Sequence, residues 1–261
     1  MMAKSAIRVI GIENLDVSFT TPAGRKVQAV DGLNLSVGEG EVVGFIGPNG
    51  AGKTTTIKVL MGFLKPDRGT VRVFGASAGS VASRRRIGYL PEVALYYPFL
   101  TAREALSLYA KLADVPRAER ERMVSELLEE VGLAGRGKER LGGFSKGMLQ
   151  RVGIAQAIMG EPDLLILDEV TSGLDPVARH DVRRILMQFK NKGKTVFFSS
   201  HELTEVALLC DRVILLDEGK VVEENNLDAL LASGAGRAPN GREEPVSLED
   251  YFVRKLGHKV S

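Results

Sequence analysis

The chain has 261 residues, of which 44% are hydrophobic and 26% are charged, and its 35 basic and 33 acidic residues leave a formal net charge of +2. These values are typical of a globular protein that buries a substantial core, and the near balance of charge gives no sign of a nucleic-acid partner. The single cysteine, Cys210, excludes an internal disulfide and favours a reducing compartment, and its apolar neighbours predict a buried thiol.

The N-terminal part of the sequence has the pattern of strands. Apolar runs at 7–19, 30–37 and 41–47 are separated by turn residues, and 69–75 adds a fourth run. The chain enters the first run without the hydrophobic region of a signal peptide, and no segment reaches about 18 consecutive apolar residues. We therefore expect neither a secretion signal nor a membrane-spanning helix. If the protein works at a membrane, another chain would have to anchor it there.

In the middle of the sequence, apolar residues recur at the spacing of amphipathic helices. Thr101 and Glu104 match a capping box, and apolar residues then recur at helical spacing as far as Leu112. A second amphipathic pattern follows Pro116. We predict a helical insert over 93–159.

Strand patterns return in the last third. The runs at 163–169 and 195–201 flank a helical stretch, which predicts βαβ connectivity and a parallel sheet. The run at 211–224 predicts a hairpin that turns at Glu218-Gly219. A linker is expected at 232–247, followed by an apolar and charged segment, LEDYFVRKLG, that could dock on the body.

A phosphate-binding loop is the clearest chemical motif. The segment GPNGAGKTT at 47–55 matches G-x-x-x-x-G-K-[ST] between a strand and a helical pattern. Gly47, Gly50 and Gly52 let the backbone curl so that its N–H groups point inward, where the positive end of the following helix adds to the field. Lys53 would place a cation against the β- and γ-phosphates of a bound nucleotide, and Thr54 would offer a hydroxyl to Mg²⁺. The other residues assigned to this nucleotide site are Pro48, Asn49, Ala51 and Thr55.

An acidic pair follows the buried strand LLILDE, at the edge where open α/β sheets bind ligands. Asp168 is suited to hold Mg²⁺ through a water, and Glu169 to polarise a water that attacks the γ-phosphate. A solvated acidic turn is the alternative. His201 ends another strand at the same edge and either senses the γ-phosphate or is structural.

Three further short motifs occur alongside the phosphate loop and the acidic pair. They are SKGM at 145–148, SGLDP at 172–176 and SSH at 199–201. Together with the phosphate loop and the acidic pair, in this order, they resemble the nucleotide-binding subunit of an ABC transporter across most of the chain. Two departures from the usual family pattern, Lys146 and Glu92, together with the C-terminal segment SLEDYFVRKLG, resemble the members that serve ABC-2-type exporters.

The resemblance implies a head-to-tail dimer that encloses two ATP molecules, with the signature loop of one subunit closing over the nucleotide of the other. Ser145, Lys146, Gly147 and Met148 would then lie at the γ-phosphate bound by the second subunit. A serine N-cap with free helix N–H groups is a suitable anion site. Asp175 would help to bring the two sites into register.

Three positions leave alternatives open. Phe19 matches the aromatic position that stacks on adenine, or it belongs to the core. Lys146 replaces a glycine of the family pattern, so its backbone must be helical or extended. It is either a surface lysine or an added charge near phosphate or the partner. Glu92 stands where many relatives have glutamine; it could approach Mg²⁺ or the attacking water but cannot donate an amide hydrogen bond.

Aromatic residues follow Glu92 in the segment YYPFLT. In the family, this region receives a cytoplasmic helix of the membrane subunit. Tyr96, Tyr97 and Phe99 would then supply apolar contact area, and core packing is the alternative.

We therefore expect an α/β P-loop NTPase (RecA-like) core with a mostly parallel sheet, an N-terminal antiparallel β-subdomain and an inserted helical subdomain. The expected division is 1–92 with 160–231 for the core, 93–159 for the helical subdomain and 232–261 for a linker and tail.

The expected function is that of an ATP-hydrolysing subunit, which most simply forms a homodimer. It would lie on the cytoplasmic face of the cell membrane and drive the separate transmembrane permease subunits of an exporter. A soluble ABC ATPase acting on nucleic acid or ribosomes is the rival, which the modest insert and the single cassette disfavour. A regulatory subunit that binds ATP without hydrolysing it is the other alternative.

Overall fold

The computed structural model of the chain describes residues 8–233 and 248–257. The strands within these ranges are β1 Arg8–Thr20, β2 Lys26–Gly38, β3 Val42–Ile46, β4 Arg68–Val73, β5 Ala76–Ser77, β6 Ile87–Leu90, β7 Leu164–Leu167, β8 Thr195–Ser200, β9 Arg212–Asp217 and β10 Lys220–Asn226. The α-helices are α1 Lys53–Leu60, α2 Val81–Arg84, α3 Ala102–Leu112, α4 Arg117–Glu130, α5 Lys146–Ala157, α6 Pro176–Asn191, α7 Leu203–Leu209, α8 Leu227–Ser233 and α9 Leu248–Lys255. The linker expected at 232–247 lies outside the described residues from 234 onward.

The strands form two sheets. One is a four-stranded antiparallel sheet in the order β2-β1-β4-β5, and the other has six strands in the order β10-β9-β3-β8-β7-β6. In the larger sheet β9, β3, β8, β7 and β6 run parallel, and β10 pairs antiparallel with β9. The predicted combination of an antiparallel N-terminal sheet with a mostly parallel sheet is confirmed.

The larger sheet separates two apolar cores. Strands β3, β7 and β8 are buried along their whole length, which the nearly continuous apolar sequences of β3 and β7 indicate. Because side chains alternate between the faces of a strand, Val43 and Phe45 pack towards the antiparallel sheet, while Leu165 and Leu167 pack towards the helices. The sheet is therefore covered on both faces, and its strand ends remain as the place for a site.

The helical insert begins at the predicted capping box. The Glu104 N–H donates to Thr101 Oγ1 over 3.2 Å, and the Thr101 N–H donates to Glu104 Oε2 over 2.8 Å. After α3 and α4, the short 3₁₀ helices Ala134–Arg136 and Leu141–Gly143 lead to α5. Helix α5 also packs closely on β6, since a Cβ on Gly88 would lie 1.9 Å from the Ala157 carbonyl oxygen. The insert is thus joined to the sheet through α5, and the exact division of the chain into subdomains stays a prediction.

The C-terminal elements follow the predicted order. Strands β9 and β10 form the expected hairpin, and its turn residues Glu218 and Gly219 have φ values of 45° and 81°, as a tight two-residue turn requires. Helix α9 docks beside α7 with Leu248 and Phe252 buried. Across residues 8–233 and 248–257, no helix has the length and apolarity that crossing a bilayer demands.

Candidate nucleotide site

The loop between β3 and α1 has the curled backbone that the glycines predict. Gly47, Gly50 and Gly52 have φ values of 156°, 83° and 106°. A Cβ on Gly47 would lie 2.1 Å from the Leu216 carbonyl oxygen, and one on Gly52 would lie 2.4 Å from the Ala29 carbonyl oxygen. The loop is therefore wedged between the backbones of β9 and β2, and larger residues at either glycine would displace it.

Lys53 lies at the start of α1 and points back into this loop. Its Nζ donates to the carbonyl oxygens of Gly47 and Pro48 over 2.7 and 3.2 Å and lies 3.3 Å from Glu169 Oε1. Only 6% of the Lys53 side chain is exposed. A buried ammonium is stable only when it is paired, so the loop and Glu169 together hold this charge in place.

Asp168 is the centre of a hydroxyl and carboxylate cluster. Thr54 Oγ1 donates to Asp168 Oδ1 over 3.2 Å, and Ser199 Oγ donates to the same oxygen over 2.6 Å. Burial and then the charge of Asp168 raise the pKa of neighbouring Tyr89 to about 12. A hydroxyl beside a buried carboxylate is the kind of oxygen donor set that Mg²⁺ prefers, so Thr54 and Asp168 fit the predicted metal.

Glu169 is held on both carboxylate oxygens. Its Oε1 faces Lys53, and its Oε2 lies 2.7 Å from His201 Nδ1. The Glu169 N–H donates to Ser199 Oγ over 2.9 Å, and its φ of 50° places a non-glycine residue in the left-handed region. Backbone strain of this kind persists where surrounding contacts hold it, as they do at many functional sites.

Most residues of the phosphate loop, with Glu92, Glu169 and His201, line one open pocket of about 610 Å³. Its lining consists of Ala29, Asn49, Gly50, Ala51, Gly52, Lys53, Thr54, Thr55, Glu92, Glu169, Ser172 and His201. Gly47, Pro48 and Asp168 contact this lining through Lys53 and Thr54. The structure therefore brings the phosphate loop, the acidic pair, Glu92 and His201 to one place.

Sequence reasoning missed three residues of this site. Ala29 and Ser172 line the pocket, and Ser199 connects Asp168 with Glu169. Ser172 and Ser199 belong to the quoted motifs SGLDP and SSH, but neither motif predicts what its serine contacts. The parallel register that pairs Leu167 with Phe198 is what places Ser199 beside the acidic pair.

Phe19 is not a core residue. It lies one residue before the end of β1, opposite Val27, and 44% of it is exposed. Core packing, one of its two predicted roles, is therefore wrong. Phe19 is not part of the pocket lining, although Ala29 of the adjoining strand is, so adenine stacking stays a prediction.

The signature residues lie outside this pocket, at the start of α5. Ser145 is the N-cap and accepts a hydrogen bond from the Met148 N–H over 3.3 Å. Lys146 has a helical backbone, one of the two conformations expected for a residue without the freedom of glycine. Its ammonium lies against Gly173, since a Cβ added to Gly173 would be 2.5 Å from Lys146 Nζ. A Cβ on Gly147 would lie 2.6 Å from the Ala178 side chain. Contact of these residues with a second subunit's nucleotide stays a prediction.

Asp175 has a clear role within the chain. Its Oδ1 accepts a hydrogen bond from the Ala178 N–H over 2.9 Å, which makes it the N-cap of α6. The residue therefore fixes where the SGLDP loop ends and the helix begins. Its expected role between two subunits stays a prediction.

The aromatic segment after Glu92 divides between the two predicted roles. Tyr96 packs against the core, and its hydroxyl lies 3.2 Å from Gln156 Oε1. Tyr97 and Phe99 are 62% and 64% exposed, with ring centroids 5.5 Å apart, and Leu95 is 87% exposed. These three exposed apolar side chains are accessible to a partner, and their contact with a membrane subunit stays a prediction.

Comparison with known proteins agrees with this geometry. The family model described as ABC transporter matches residues 30–172. An uncharacterized ABC transporter ATP-binding protein of Nostoc sp. is 44% identical over 80% of this chain and 63% of its own length, so the chain spans less than two thirds of that relative. A bacitracin transport ATP-binding protein of Bacillus licheniformis is 44% identical over 88% of this chain and 78% of the relative. A Nod factor export ATP-binding protein of Paraburkholderia xenovorans is 39% identical over 86% of this chain and 75% of the relative.

Solved structures have the same fold. An ATP-binding subunit of an ABC transporter superposes with a TM-score of 0.79 at 32% identity, covering 95% of this chain and 99% of the other. A dimeric ATP-binding cassette in a post-hydrolysis state with ADP and Pi superposes with a TM-score of 0.76 at 25% identity, covering 84% of this chain and 98% of the other. The P-loop cradle, the acidic pair behind it and these similarities together place the chain in the ABC transporter family, among its ATP-binding subunits with a P-loop ATPase fold.

Proposed function

We propose that this chain binds ATP in the pocket between the P-loop and the acidic pair and hydrolyses it with Glu169 as the general base. The observation that carries the proposal is the position of Glu169, which is buried and lies between the P-loop cation Lys53 and His201. A carboxylate at this place can accept a proton from a water that attacks the γ-phosphate. Lys53 and the loop N–H groups stabilise the negative charge of the phosphates.

The remaining site residues support this reaction. Phosphate oxygens would replace the Gly47 and Pro48 carbonyls as partners of Lys53, because an anion is the stronger acceptor for an ammonium. Mg²⁺, held by Thr54 and through water by Asp168, would neutralise phosphate charge when it is bound. His201 lines the pocket while its Nδ1 faces Glu169, so it orients that carboxylate and is within reach of the γ-phosphate region.

The assembly that we propose is a homodimer on the cytoplasmic face of the cell membrane, where it drives transmembrane permease subunits of an exporter. The dimeric cassette among the similar structures and the relative named for Nod factor export support this proposal. The start of α5, with Ser145 and Gly147, would complete the nucleotide site of the second subunit. The exposed side chains of Leu95, Tyr97 and Phe99 offer a surface for a permease. The near-neutral net charge supports the absence of a nucleic-acid partner.

Replacement of the general base tests the proposal. Glu169→Gln should retain ATP binding yet lower the rate of phosphate release by roughly 10²-fold or more, because the amide cannot accept the proton of the attacking water. Binding is measured by isothermal titration and turnover by phosphate release, with and without permease subunits. Glu119→Gln, on the exposed face of α4, is the matched control and should leave both quantities unchanged.

The outcomes separate the alternatives. Unchanged turnover in Glu169→Gln would remove Glu169 from the role of base. A wild-type chain that binds ATP in the complete transporter without releasing phosphate would indicate a regulatory subunit. Lys53→Ala should abolish binding, since it removes the buried cation of the loop, and retained affinity would contradict the assignment of this pocket to ATP.

A further inference from the structure

Two ion pairs of the same chemical type join α6 to α7 and to Glu202, the N-cap residue of α7. Arg179 Nη1 lies 3.1 Å from Glu202 Oε2, and one helical turn further along α6, Arg183 Nε lies 3.4 Å from Glu205 Oε2. All four side chains are at least two thirds buried. Such pairs are costly to break on one side, because the remaining charge is left without compensation. The two pairs therefore contribute similarly to packing but differ in what else they contact.

Arg179 also holds the SGLDP loop. Its Nε donates a hydrogen bond to the Leu174 carbonyl oxygen over 2.9 Å. Leu174 lies between Ser172, which lines the nucleotide pocket, and Asp175, which caps α6. The planar guanidinium therefore binds the loop backbone with one nitrogen and Glu202 with another, an arrangement that a lysine cannot reproduce.

Glu202 is next to His201 in a tightly bonded turn. The Glu202 N–H donates to Ser200 Oγ over 2.9 Å, so the backbone on both sides of His201 is held. Glu202 Oε2 is buried and forms no aligned hydrogen bond within the described residues, so the nearby Arg179 charge compensates it. On the other side, His201 Nδ1 lies 2.7 Å from Glu169 Oε2. A displacement of Glu202 would therefore move the adjacent His201 and, through their contact, the general base Glu169.

We propose that Arg179 is a positioning residue that couples the 172–175 loop to His201 and thereby to Glu169. This inference rests on the proposed function, since it needs Glu169 and His201 to act on ATP. The path runs from the Leu174 carbonyl through Arg179 and Glu202 to His201. A movement of the loop, as on closure against a second subunit, changes the position of the His201–Glu169 pair. Arg183 and Glu205 contact neither the loop nor His201 in the described contacts, so their pair lies off this path.

Paired substitutions on the full chain test this coupling. Arg179→Lys and Arg179→Met should lower kcat for phosphate release by between about 10- and 100-fold while KM for ATP changes by less than about 2-fold, since a misplaced base slows the chemical step more than it weakens binding. The matched controls Arg183→Lys and Arg183→Met should lower Tm by a similar amount yet keep kcat. Arg179→Lys retains the charge and so provides a folded variant if Arg179→Met does not fold.

A double-mutant cycle adds a second readout. Glu202→Gln should lower kcat as Arg179→Lys does, and the double variant should be no slower than either single variant, because both changes break one path. Glu205→Gln is its control. If Arg179 and Arg183 variants change kcat equally, or if Arg179→Met leaves kcat unchanged in an active protein, the coupling is wrong while the proposed function stands. A wild-type chain without phosphate release would overturn both.

Discussion

The side chain that best explains the geometry of the site is Glu169, which is fixed at three points. Lys53 and His201 face its two carboxylate oxygens, and Ser199 accepts a hydrogen bond from its backbone N–H. A buried carboxylate is stable only with such compensation, and the same contacts preorganise it for proton transfer. The arrangement therefore combines stability with a defined direction for the reacting oxygen.

Ser199 is the residue-scale test of this preorganisation. Ser199→Ala removes the hydrogen bonds to Asp168 Oδ1 and from the Glu169 N–H, so we expect kcat to fall about 10-fold and the free energy of unfolding to fall by about 1–3 kcal/mol. Phosphate release and denaturant unfolding measure the two effects. Ser125→Ala, which alters a hydroxyl on α4, should keep kcat. An unchanged kcat in Ser199→Ala would show that Asp168 and Glu169 are positioned without it.

Sequence reasoning identified most residues of the pocket at this scale, because the P-loop and the acidic pair are contiguous motifs whose chemistry is local. Ser199 and Arg179 could not be assigned in this way. Ser199 meets Asp168 only through the register of neighbouring strands, and Arg179 meets Glu202 only because α6 packs against the start of α7.

At the scale of elements, the contact between α5 and α6 gives Gly147 a role within one subunit. A Cβ at this position would lie 2.6 Å from the Ala178 side chain, so the glycine allows the two helices to approach. The same residue is predicted to lie near the phosphate of a second subunit. The two requirements are compatible, because close approach of α6 also fixes the direction of the α5 N-terminus.

Gly147→Ala should therefore destabilise the isolated chain, whether or not ATP is present. We expect a loss of about 1–3 kcal/mol in the free energy of unfolding, as for overpacking of a well-packed core. Denaturant unfolding of the nucleotide-free protein measures it. Gly143→Ala is the matched control, since a Cβ there meets no heavy atom of the described residues within 4 Å beyond its own neighbours in the chain. Equal stability of the two variants would mean that the helices separate at little cost.

At the scale of the whole molecule, the six-stranded sheet lies between both cores and carries the site at the carboxyl ends of its strands. Cys210 lies at the junction of α7 and the sheet, and a Cβ on Gly44 of β3 would be 2.8 Å from its Sγ. Burial, more than any nearby charge, raises the pKa of this thiol well above its usual range. The cysteine is thus a natural probe of global opening.

We expect Cys210 to resist alkylation in the native protein and to react when the sheet and α7 separate. The buried thiol is protonated, and the thiolate is the reactive form. Iodoacetamide labelling followed by mass spectrometry across a denaturant series should therefore track the loss of secondary structure. Rapid labelling of the native chain would contradict the packing of α7 on β3.

The sequence by itself determined the longer strands and the order of most helices, the P-loop, the acidic pair and the family, because each depends on short-range spacing, on periodicity or on residues adjacent in the chain. It did not predict β5, β6, α2, α7 or α8. The tertiary structure alone decided that Phe19 is exposed, that Tyr96 packs inward while Tyr97 and Phe99 face outward, and that Gly147 lies against Ala178. It also decided that Arg179 contacts both Leu174 and Glu202. The physical reason is that exposure and side-chain partners depend on which elements pack together, and segments far apart in the chain meet only after the sheet has set their positions.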